Sequence, residues 1–94
     1  MIFRGECMIN YYVALQTRAQ AFLLERRLKD ADVKCELALM PREIMRDLCN
    51  MGVKLDESEY EKAIKIVRRA GISGCNVYKE IVYPNFCKYF KEFI

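Results

Sequence analysis

The sequence contains no histidine, and that absence removes a large part of enzyme chemistry at once. Ser–His–Asp and Cys–His catalysis need an imidazole that takes and returns a proton, so neither is open to this chain. No Cys-x-x-Cys pair occurs either. Cys7, Cys35, Cys49, Cys75 and Cys87 are scattered along the 94 residues. A zinc site would need four of them brought together by the fold alone, and no metal or cofactor is expected. Their odd number and wide spacing argue against a disulfide framework and point to a reducing, cytoplasmic compartment. No apolar run approaches the roughly 20 residues of a membrane helix, and no signal-like apolar stretch follows the N-terminus; no membrane partner is expected. Charge of one sign is concentrated nowhere. Cations and anions number six and five over residues 1–40, seven and six over 41–72, and three and two over 73–94, for a formal +3. No basic arm advertises nucleic acid.

What is present is an ordinary globular composition, 53% apolar and 31% charged over 94 residues. That length makes one domain, able to hide about 60–68% of its unfolded surface without a covalent staple.

The β-branched and aromatic run Met8–Leu15 predicts a first strand. Alternation sets Ile9, Tyr11, Val13 and Leu15 on one face and Asn10, Tyr12 and Ala14 on the other. Thr17 with Gln20 three residues on is a capping box, and Ala21, Leu24, Leu28 and Ala31 give a helix over about 18–31 one apolar stripe. Residues 33–39 alternate strictly and predict a second strand, with Cys35 on the face of Val33, Leu37 and Leu39. Pro41 stops it and suits the first turn of a short helix that packs Ile44 and Leu48 inward. A short third strand is expected over 52–55, after a turn at Asn50-Met51-Gly52.

Asp56 with Glu59 predicts a second capping box. Tyr60, Ala63, Ile64, Val67 and Ala70 form the buried stripe of the second helix, and Gly71 is its natural stop. A fourth strand follows over 75–79. The resulting β-α-β-β-α-β order predicts an α+β domain of ferredoxin-like type over residues 1–80, with 1–7 as an N-terminal extension. Met8 opens the domain so neatly that translation from Met8 rather than Met1 is conceivable. In the tail, 81–94, Phe86, Tyr89, Phe90, Phe93 and Ile94 recur at helical spacing. They predict a third, amphipathic helix from Pro84 or Asn85. It would cover the sheet face that carries Tyr12, Ala14 and Tyr78, or bury its stripe in a partner subunit.

The segments Tyr11–Leu15, Met40–Ile44 and Asp56–Ile72 resemble those of the putative selenium/sulfur carrier protein-like family, small bacterial domains. The resemblance spans about residues 9–79, and its most specific piece is Pro41-Arg42-Glu43-Ile44 followed by a cysteine in the same loop. The family typically continues with small hydroxyl residues and then Cys-Gly. Here Met45, Arg46, Asp47 and Leu48 intervene, and Asn50-Met51 separates Cys49 from Gly52. The resemblance implies a thiol carrier of sulfur or selenium, with Cys49 as acceptor and Arg42, Glu43, Arg46 and Gly52 as its loop. Such a thiol must be exposed and must ionise near neutrality; Arg42 or Arg46 beside it would favour the thiolate.

Three other classes compete with this reading. An interaction or regulatory module would act through dimerisation or the sheet face and do no chemistry, its partner being a protein or a second copy. RNA-recognition domains stack bases on aromatics of strands 1 and 3, and Gly52-Val53-Lys54-Leu55 supplies none. An acylphosphatase-type enzyme needs a glycine-rich phosphate loop after strand 1, and Gln16-Thr17-Arg18 is not one. The carrier is the leading reading, and the chain is not expected to be an enzyme.

Overall fold

The alternating run that opens the domain becomes the central strand of one antiparallel sheet. The computed structural model describes residues 8–44, 51–72 and 74–93. The elements run β1 (Met8–Ala14), α1 (Arg18–Asp30), β2 (Glu36–Leu39), β3 (Met51–Asp56), a 3₁₀ turn (Glu57–Glu59), α2 (Tyr60–Ala70), β4 (Asn76–Val82) and β5 (Cys87–Glu92). The sheet order is β2-β3-β1-β4-β5. β1 pairs with β3 on one side (Asn10 opposite Asp56) and with β4 on the other (Met8 opposite Val82). The fold is α+β: five antiparallel strands and two helices.

Both helices lie on one sheet face. Ala21, Leu24 and Leu28 of α1 and Ala63, Ile64 and Val67 of α2 close a core with Tyr11, Val13, Val53, Leu55 and Val77. Tyr11 and Tyr60 stack with ring centroids 3.9 Å apart, locking the start of α2 to β1. The capping box on α1 forms as expected: the Gln20 N–H donates to Thr17 Oγ1 at 3.1 Å, and the Thr17 N–H to Gln20 Oε1 at 3.2 Å.

The chain leaves α1 through Asp32, at φ +64°. The Val33 N–H donates to the Leu28 carbonyl at 2.9 Å and that of Asp32 to Lys29 at 3.0 Å, the two bonds of a Schellman stop. Val33 therefore seals the helix end, which is why β2 starts at Glu36 rather than at Val33.

The expected second capping box does not form. Asp56 accepts from the Ser58 N–H at 3.2 Å and from its hydroxyl at 2.7 Å, capping the 3₁₀ turn. Glu59 reaches across to the Lys34 N–H at 3.0 Å, so a tertiary donor replaces the local one. Gly71 ends α2 in the left-handed region, as its position predicts.

The expected C-terminal helix is a strand. β5 pairs with β4 from Val82–Cys87 to Val77–Glu92. The Tyr83 N–H donates to the Phe86 carbonyl at 2.8 Å, and their rings stack at 4.7 Å. Pro84 and Asn85 thus occupy the two central positions of a hairpin turn, positions that favour the same residues as a helix start. The open edge of β4 supplied a ladder that periodicity within so short a segment does not reveal.

Candidate functional site

The sheet face without helices carries the second core cluster. Tyr12 of β1 and Tyr78 of β4 stand on it, and Met40 and Ile44 fold back over them, with Ala14, Ala38 and Tyr89 at the margin. Pro41–Ile44 makes one turn, closed by the Ile44 N–H on the Pro41 carbonyl at 3.1 Å. The outer two members of Met40–Ile44 are buried, while Arg42 and Glu43 between them are exposed. The Pro-Arg-Glu-Ile segment is therefore an anchored turn with its charges outward. Leu48, expected to pack beside Ile44, lies outside the described residues, as do Arg46 and Cys49.

Gly52 lies in β3, as the third strand expected over 52–55 places it, and not in the candidate loop. It is buried, opposite Ala14 on one side and Ala38 on the other. A Cβ there would run into the Val13 carbonyl oxygen and sit 2.5 Å from Met40 Cε. The absence of a side chain at 52 is what lets Met40 lie flat on the sheet and hold the anchored turn.

Beside this cluster is a buried polar group on the same face. Glu80 is 5% exposed and Asn10 6%. Asn10 Nδ2 donates to Glu80 Oε1 at 3.0 Å, and the Tyr89 hydroxyl to Oε2 at 2.7 Å. A carboxylate so enclosed needs such donors, and charge assistance strengthens both bonds. Burial first, and the Glu80 charge second, push the Tyr12 phenol up to about 12. Tyr89 is raised by burial, by its hydrogen bond to Glu80 and by that group's charge, with Cys87 and Glu43 adding to the effect. Asn10 was legible in the alternation of β1. Glu80 was missed because the fourth strand was ended at Lys79; extending its alternation from Tyr78 would have found it.

Cys35 and Cys75 are held towards the protonated thiol. Burial raises both, and Glu25 adds to the shift at Cys35, whose Sγ–H points to the Glu25 carbonyl at 3.9 Å. Cys87 is half-buried on β5, in the strand position opposite Val82. An open cleft of about 340 Å³ runs between the ends of β2, β3 and β1, lined by Asn10, Lys34, Cys35, Glu36, Lys54 and Asp56. Its cations and carboxylates balance. Among the described residues no three acidic or cysteine side chains are grouped as metal ligands, and no helix is long and apolar enough to cross a membrane.

The sequence profile of a family described as "Putative Se/S carrier protein-like" matches residues 10–79. No curated protein and no solved structure matches the chain. The matched span runs from β1 into β4, holding the two helices and the anchored turn, and covers well over half of the sequence. On that match, the chain belongs to the selenium/sulfur carrier protein-like family.

Proposed function

We propose that this protein is a thiol carrier that accepts sulfur or selenium on Cys49 and passes it to a second protein. The observation that carries the reading is the segment Met40–Ile44: its buried ends hold it on the helix-free face, Arg42 and Glu43 between them face solvent, and Cys49 follows Ile44 by five residues in the sequence. Family membership supports it, and so does the burial of Cys35 and Cys75, which pushes both thiols up and keeps them protonated near neutrality. In the transfer, the Cys49 thiolate attacks the terminal sulfur of a donor persulfide. The donor S–S bond breaks, a Cys49 persulfide forms and the donor leaves as its thiolate. Arg42 and Arg46 are the cations that would favour the attacking anion. The unit β1 to β4 with its two helices is read as ferredoxin-like, lengthened by β5; the order β2-β3-β1-β4 with both helices on one face supports this.

Intact-protein mass after incubation with a persulfide donor tests the reading. One added sulfur on the wild type and on Cys35→Ser and Cys75→Ser, but none on Cys49→Ser, is the expected result. An adduct that survives Cys49→Ser removes the assignment. A second reading, a module that acts by association alone, is favoured by the exposed Phe86, Phe90 and Phe93 around β5.

A further inference from the structure

β5 is an edge strand, and its sequence is self-complementary in one register. The Tyr83–Phe86 pair closes the hairpin through a hydrogen bond. Hydrogen-bonded and non-bonded pairs then alternate, so Lys88, Phe90 and Glu92 direct their main-chain groups to β4. Cys87, Tyr89 and Lys91 direct theirs to the free edge. Lys88, Phe90 and Glu92 share the helix-bearing face with Ile81, Lys79 and Val77, and Tyr89 and Lys91 lie on the other. Phe90 is 48% exposed and Phe93 89%, a large apolar presence for a strand that nothing described covers on its outer side.

We propose that a second copy of this chain pairs antiparallel along β5, about a two-fold axis at Phe90, to make one continuous sheet across two molecules. A two-fold axis perpendicular to the sheet keeps like faces together, and both copies then offer outward main-chain groups at the same positions. Centred on Phe90, the register sets each Lys88 opposite the second copy's Glu92, Phe90 opposite its counterpart, and each Tyr89 opposite a Lys91. The Lys88–Glu92 charge pair is attractive and occurs twice. Centring on Tyr89 sets Lys88 against Phe90 and Glu92 against Phe86, matching no charges. Centring on Lys88 or Lys91 sets that lysine against itself. The lysines that would guard an isolated edge are in this register its complement. The pairing concerns residues outside the matched family span and stands apart from the chemistry proposed for Cys49.

Sedimentation equilibrium with a charge exchange tests it. The wild type is expected at twice the chain mass. Lys88→Glu and Glu92→Lys each set like charges opposite one another at two places, and each is expected to weaken self-association about tenfold or more. Mixed in equal amounts, the two variants regain complementarity at both places. Native mass spectrometry should then show a dimer containing one chain of each. Circular dichroism of each variant alone verifies that the fold is kept. As a second, independent readout of register, Phe90→Cys should give an oxidised dimer whose linking peptide joins position 90 to itself, since directly opposed Cβ atoms lie about 4.5–5.5 Å apart. A monomeric wild type, variants that associate as well as the wild type, a mixture that fails to form the mixed dimer, or a cross-link that maps elsewhere would each overturn the proposal.

Discussion

At the scale of single residues, Gly52 decides whether the anchored turn seats at all. Any side chain there meets main chain on one side and Met40 on the other, and only Met40 can give way. Gly52→Ala is expected to destabilise the fold by about 1–3 kcal/mol, the usual cost of overpacking, and to expose Met40. Urea unfolding with and without Met40→Ala checks this, because truncating Met40 should recover part of the loss. The residue-level features visible in sequence were those whose partners are close along the chain. Thr17 and Gln20 found each other three residues apart. Glu59 did not stay with Asp56, since the Lys34 N–H, 25 residues away, was the better-placed donor. Gly52 stands both at the end of the Asn50–Gly52 turn signal and at the start of the expected third strand, because glycine marks turns and close approaches alike, and the neighbouring strands show that it serves the close approach.

At the scale of elements, β5 gives the sharpest contrast between what patterning predicts and what forms. Residues 87–92 fit a helical stripe and an edge strand equally well, and pairing with β4 decides between them. Proline distinguishes the two physically. In a helix, proline at 90 or at 91 would be equally damaging, costing about 3 kcal/mol. In this strand the Phe90 N–H faces β4, whereas that of Lys91 faces out. Phe90→Pro is therefore expected to cost about 1–3 kcal/mol through a lost ladder bond, and Lys91→Pro far less, in thermal unfolding at concentrations low enough to keep the chain monomeric. The anchored turn was legible up to Ile44, where apolar spacing and proline agree. The residues that carry the carrier hypothesis beyond it, Arg46 and Cys49, lie outside the described residues.

For the whole molecule, a cluster of phenols around Glu80 and at the β1–α2 contact makes the fold sensitive to alkali. Tyr12 is raised to about 12, and Tyr11, Tyr60 and Tyr89 are raised as well. The folded state thus holds protons that the unfolded chain releases near pH 10, and stability falls wherever the unfolded state binds fewer. The contribution is complete below about pH 10 and is lost as pH climbs towards 12. The urea midpoint is expected to be level in this respect up to about pH 9 and to drop between pH 10 and 12. Tyr89→Phe should flatten that drop, while lowering the neutral-pH midpoint through loss of the bond to Glu80.

The central position of β1 also governs when the molecule can assemble. The strand that comes first in the chain is hydrogen-bonded on both sides by strands that come much later, and Asn10 finds Glu80 across 70 residues. Local structure does not relieve this: α1 and the β4–β5 hairpin can form early, but neither completes the sheet. Closing the long loops is the slow event, and pairing of this kind makes the protein slower to fold than a helical bundle of its size. During synthesis the first strand must therefore wait, with one edge unpaired, until residues around 80 have emerged.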